Sequence, residues 1–84
     1  MEIKQYHIYF LQNDSSKNVG SQAIVIQNDM ANEKSDKIVI VPYVNEEFIG
    51  IYTVNREDLR EDIGILPDDK QSELREYYLS LVIS

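Results

Sequence analysis

The chain carries one histidine, His7. An imidazole set in a strand among tyrosines could take a proton as a general base. A lone strand histidine is more often a half-exposed structural residue. Lys17, Lys34 and Lys37 could gather on one face as a small phosphate-binding patch, although scattered surface lysines are the commoner outcome. Tyr6, Tyr9, Tyr43 and Tyr52 could stack bases, but without a basic groove they read first as strand packing residues. Glu57 with Glu61 and Asp58 with Asp62 recur at i, i+4, and Asp68-Asp69 follow. On a helix such spacing draws carboxylates together, as a metal site would require, and adds like-charge repulsion. No calcium-loop pattern accompanies them. A solvated or partner-binding face is the better reading, and no metal or cofactor is expected. The chain has no cysteine, hence no disulfide framework and no thiolate metal site. It also lacks a Gly-rich phosphate loop, a nucleophile elbow and a His pair.

Eighty-four residues are expected to make a single domain over 1–84 with one modest core. No apolar run approaches the roughly 20 residues of a bilayer span, and no secretory leader is visible, so a cytoplasmic location is the default. Net charge is −7. Residues 1–44 contribute −1 and residues 45–84 contribute −6. Nucleic-acid affinity draws heavily on Lys and Arg neutralising phosphates. This balance therefore suits a basic protein partner better, or simply keeps a small protein soluble.

Several elements must position these groups. Ile3 to Leu11 alternates with period two and reads as a half-buried strand. Residues 12–21 are polar and turn-rich, a loop. Gln22–Gln27 encloses a β-branched run, and Asn28 or Asp29 can cap a short helical turn over Met30 to Glu33. Lys37–Tyr43 is a second buried strand, which ends or lies at an edge at Pro42. Asn45-Glu46-Glu47 is a tight turn, and Phe48–Val54 a third strand with Gly50 at a bulge or close approach, so 38–54 reads as a hairpin. Asn55 can cap a short helix over Arg56–Ile63, stopped by Gly64. A last helix runs from about Pro67 to Val82, with Leu74, Tyr77, Tyr78, Leu81 and Val82 in one stripe. Strands first and helix last describe an α+β domain.

Three patches resemble the MazF/PemK toxin family: Ile8-Tyr9; Val25-Ile26-Gln27-Asn28-Asp29 followed by Asn32, Ser35 and Ile38-Val39-Ile40-Val41-Pro42; and Thr53 with Leu59, Ile63-Gly64 and Leu66. The resemblance implies a small, strongly bent, mostly antiparallel SH3-like barrel of MazF/CcdB type with a C-terminal helix. It also implies an endoribonuclease, in which the RNA 2′-OH attacks the adjacent phosphate. In the family an Arg-Pro pair opens the second strand and a Thr or Ser ends the next. Counted without gaps, the arginine falls on Ser21, its proline on Gln22, and the hydroxyl residue on Val44. Serine cannot supply a bidentate, charge-assisted phosphate contact, and valine cannot donate a hydrogen bond.

From these departures no catalytic residue is expected. The first reading is a non-catalytic binding module that binds or inhibits a nucleic-acid-processing protein, in the manner of anti-CRISPR inhibitors. Its partner surface would be Glu46, Glu47, Glu57, Asp58, Glu61, Asp62, Asp68 and Asp69. The alternative is an mRNA interferase, a sequence-specific endoribonuclease toxin, with RNA as its substrate. A CcdB-like engagement of gyrase ranks last, because Leu81-Val82-Ile83-Ser84 lacks an aromatic anchor. Homodimerisation through Tyr77, Tyr78 and Val82 is a further expectation from the family.

Overall fold

A computed structural model describes residues 2–12 and 21–83. Six strands are described: β1 (His7–Leu11), β2 (Gln22–Val25), β3 (Lys37–Val44), β4 (Glu47–Phe48), β5 (Tyr52–Asn55) and β6 (Leu59–Ile65). Helix α1 (Asp29–Lys34) joins β2 to β3, and α2 (Asp68–Ile83) closes the chain. The sheet order is β4-β3-β2-β1-β6, with β5 pairing a second stretch of β3, and every pairing is antiparallel. The protein is thus the α+β domain with a C-terminal helix expected from its sequence.

Period-two alternation sorts the strands onto two faces. Tyr9, Leu11, Ala23, Val25, Ile38, Ile40, Val54 and Leu59 pack together with Ile3 on one face. Ile24 and Val41 point the other way and pack with Leu66 and Leu74, beneath α2. Each fully buried aliphatic contributes roughly 1.5–3 kcal/mol. The α2 stripe is used only in part: Leu74 is buried and Tyr77 and Tyr78 are half-buried, whereas Leu81 and Val82 are exposed.

Local chemistry sets the turns. Asn28 caps α1, its Oδ1 accepting the Ala31 amide at 2.9 Å. Asn45 and Glu46, both at positive φ (52° and 63°), make the two-residue β3–β4 connection; positive φ at both central residues is the type I′ geometry that matches strand twist. Gly50 sits at φ 74° between β4 and β5, where a Cβ would lie 3.1 Å from the Tyr52 ring.

Several elements differ from expectation. The first strand begins only at His7, after a turn in which Tyr6 takes φ 66°. The strand expected over 48–54 is split around Gly50 into β4 and β5. Pro42 lies within β3, which runs on to Val44. Residues 56–63 do not form a helix. A single 3-10 turn (Arg56–Asp58) leads directly into β6, which pairs with β1 through His7↔Ile65, Ile8↔Gly64 and Leu11↔Leu59 with register shifts between. Leu59 is buried against Tyr9 and Leu11, and that burial overrides the helical appearance of the acidic run. The i, i+4 carboxylate pairing inferred for Glu57/Glu61 and Asp58/Asp62 therefore does not exist, since four residues of extended chain span about 13 Å, against about 6 Å on a helix.

Candidate functional site

The β2–β3 register pairs Ala23 with Pro42 and Ile24 with Val41. Continued to the strand ends, it sets Gln22 opposite Tyr43 and Ser21 opposite Val44. These four residues and Asn45 line one cleft of about 330 Å³. The two positions singled out by the family resemblance thus meet across adjacent strands. The Ser21 carbonyl accepts the Leu11 amide at 2.8 Å, which holds the strand entry in place.

The lining is a hydroxyl (Ser21), two amides (Gln22, Asn45), a phenol (Tyr43) and an aliphatic (Val44). Among the described residues that line it there is no guanidinium or ammonium. Tyr43 is held by a relay of rings. It stacks on Phe48 at 5.6 Å between centroids, and Phe48 meets Tyr77 at 5.6 Å. The Gly50 amide donates to the Tyr77 hydroxyl at 2.6 Å, tying α2 to the β4–β5 link. The type I′ turn then projects Asn45 at the cleft rim.

Both nearby arginines lie elsewhere. Arg56 and Arg60 line a separate cleft of about 790 Å³ with Ile3, Asp36, Asn55 and Leu59. Arg56 is a structural clamp there, donating from Nε and Nη2 to the Ser35 carbonyl at 3.3 and 3.1 Å. Lys37 donates to Asn55 Oδ1 at the adjoining strand ends. Lys34 sits in the last turn of α1, where a cation complements the helix dipole. Lys17 lies outside the described residues.

His7 is partnered. Its Nδ1 lies 2.8 Å from Asp62 Oδ2, while Asp62 Oδ1 accepts the Gly64 amide at 2.9 Å. The pair fastens β1 to β6. It also sits at the opposite end of β1 from Leu11 and Ser21, about 13 Å away at ~3.3 Å per strand residue. The imidazole is therefore remote from the Ser21–Val44 cleft. Tyr9 is a core residue whose hydroxyl accepts the Lys4 amide at 2.9 Å, and burial pushes its pKa up. Tyr6 occupies a left-handed conformation (φ 66°) and pairs its hydroxyl with that of Tyr78 at 3.1 Å, with the Arg75 guanidinium over its ring. Tyr52 is exposed.

The eight acidic residues of the expected partner surface are dispersed. Asp58 is buried, and Asp62 is engaged with His7 and Gly64. Glu57 and Glu61 line the larger cleft. Glu46 and Glu47 are exposed at the β3–β4 turn, and Asp68 and Asp69 occupy the first turn of α2. Among the described residues no three His, Cys, Asp or Glu side chains converge as metal ligands, and no helix is long and apolar enough to cross a membrane. Sequence reasoning offered Tyr43 as a base stacker but read it first as a packing residue, and it missed Asn45. The Asn-Glu turn beside an aromatic was the available signal.

No protein-family model and no curated protein sequence matches the chain. Solved structures do. An endoribonuclease in complex with its cognate antitoxin, from a mycobacterial species, superposes with a TM-score of 0.81 at 10% identity, over 96% of this chain and 93% of that one. A second mycobacterial endoribonuclease superposes with a TM-score of 0.72 at 9% identity, over 89% and 86% of the two chains. The expectation of a non-catalytic binding module is corrected by these matches: the neighbours are RNA-cleaving enzymes aligned over nearly their whole length, which favours the mRNA interferase alternative. Strand order, terminal helix and end-to-end superposition lead to one conclusion: the chain has the MazF/PemK-type toxin fold.

Proposed function

We propose that the protein is an endoribonuclease toxin acting on single-stranded RNA and restrained by a protein antitoxin. The supporting observation is the superposition on an antitoxin-bound endoribonuclease over 96% of the chain, taken with the cleft that joins Ser21 to Val44. In the reaction the 2′-OH attacks the adjacent phosphorus, the 5′ oxygen leaves with a proton, and a 2′,3′-cyclic phosphate and a 5′-OH result. The cleft offers neutral donors for this step: the Ser21 hydroxyl, the Gln22 and Asn45 amides, and the Tyr43 phenol. Neutral donors stabilise a pentacoordinate phosphate less than a guanidinium does, so turnover is slow. Exposed carboxylates at Glu46, Glu47, Glu57, Glu61, Asp68 and Asp69 suit a basic antitoxin segment. Incubating the purified protein with single-stranded RNA tests the reading. Cyclic-phosphate termini that disappear with Tyr43→Leu support it. Intact RNA at stoichiometric protein refutes it.

A further inference from the structure

The strand registers align four side chains in a row across the sheet. Phe10 pairs with Gln22, and Tyr43 pairs with Phe48. The β2–β3 register, continued by one residue, sets Gln22 opposite Tyr43. The row runs Phe10, Gln22, Tyr43, Phe48 over β1, β2, β3 and β4. Phe48 is the inner support, stacked on Tyr43 and packed toward α2. Phe10 is 38% exposed and joins neither core cluster. Gln22 and Tyr43 are half-buried and line the cleft with Asn45. Among the described residues the side-chain amides of Gln22 and Asn45 have no hydrogen-bond partner.

This arrangement suits unpaired nucleobases. Phe10 and Tyr43 stand two strands apart, about 9.5 Å at the usual strand spacing. Between them lies an amide able to donate and accept at a base edge. Single-stranded RNA is read in this way, by stacking on aromatic rings and hydrogen bonding to exposed edges. The charge pattern favours bases over phosphates. None of the described cleft residues is cationic, and Glu46 and Glu47 follow Asn45 in the chain, so backbone phosphates gain little from these side chains.

Building on the RNA-cleaving reading, we infer that Phe10 and Tyr43 form a base-stacking platform, with Gln22 and Asn45 reading base edges, so that RNA is held mainly through its bases. Affinity then depends weakly on salt, with a log–log slope smaller than the ~0.7 expected for even one neutralised single-strand phosphate.

The test uses fluorescein-labelled RNA hexamers (rA6, rC6, rG6, rU6) and an abasic hexamer of the same backbone, read by anisotropy across a salt series. At least one homopolymer binds tenfold or more tightly than the abasic strand. Phe10→Ala and Tyr43→Leu each weaken it about tenfold, whereas Tyr43→Phe, which keeps the ring, stays within about twofold. Gln22→Ala and Asn45→Ala change the ranking of the homopolymers, an effect that loss of packing would not produce. Thermal melts confirm folding, and the exposed Phe10 makes its truncation structurally mild. Equal binding of abasic and base-bearing strands overturns the inference, as does a Phe10→Ala variant with unaltered affinity. If RNA is cleaved yet those results hold, only the platform is wrong. If RNA is neither bound nor cleaved, the endoribonuclease reading fails and the platform falls with it.

Discussion

The Tyr77 hydroxyl accepts the backbone amide of Gly50 at 2.6 Å, 27 residues earlier in the chain. The bond fixes the distance between α2 and the β4–β5 link, and so the height of the Phe48–Tyr43 stack beside the cleft. Tyr77→Phe keeps the ring but leaves a half-buried amide unpaired, which costs about 1–2 kcal/mol. A domain of this size loses roughly 4–8 °C of melting temperature per kcal/mol. Thermal denaturation followed by circular dichroism checks this. An unchanged midpoint would mean that the amide finds water instead.

Ser21 and Val44 line the same cleft, so charge can be restored there. Ser21→Arg combined with Val44→Thr is expected to raise RNA cleavage about 10²–10³-fold, the usual worth of one preorganised electrostatic contact to a transition state. The readout is the rate of cyclic-phosphate formation in single-turnover assays. A rate no faster than that of the unaltered protein would show that these positions do not face the scissile phosphate.

Burial pushes the Tyr78 phenol up to about 12, and the hydrogen bond to Tyr6 adds to the shift. The unfolded phenol ionises near 10. Between these values the native state holds a proton that the unfolded state has lost, so stability falls as pH rises from about 10 toward 12, and the contribution is complete below 10. Tyr9, raised mainly by its burial, acts in the same direction. Urea unfolding across this range should show the decline, and Tyr78→Phe should flatten it. An equal slope in that variant would assign the titration to another group.

The His7–Asp62 contact joins β1 to β6 away from the cleft. His7→Asn is therefore expected to leave RNA cleavage within about twofold. Asp62→Ala removes partners from both His7 and Gly64 and should destabilise by about 1–2 kcal/mol. It should speed hydrogen exchange at β6 amides first. A tenfold fall in cleavage with His7→Asn would place the imidazole in the reaction.

The sequence was most legible where local chemistry and burial agree. The β-branched runs at 23–26 and 38–41, the Asn28 cap and the Leu74–Tyr78 part of the last helix all stand as read. Segment 56–63 was not legible in this way, because four acids among eight residues resemble a solvated helix face. Alternation was no guide either, because Glu61 interrupts Leu59, Ile63 and Ile65 and only Leu59 is buried; the pairing with β1 decides. The positions Ser21 and Val44 followed from a gap-free count along one strand–helix–strand unit, whereas their meeting in one cleft is seen only in the β2–β3 register. The row from Phe10 to Phe48 did not, because it joins four strands whose relative registers depend on turns and long-range pairing.

Tyr6 sits at the crossing of early, middle and late chain. Its amide donates to Val25, its carbonyl accepts from Leu66, and its hydroxyl meets that of Tyr78, 72 residues on. Leu66 and Tyr78 both lie far along the chain from Tyr6, and contacts of such separation carry the largest loop-closure cost in folding. β1 and β2, which are neighbours in sequence order, are therefore expected to pair before the entry to the first strand is locked, and amides around Tyr6 should gain hydrogen-exchange protection late in refolding.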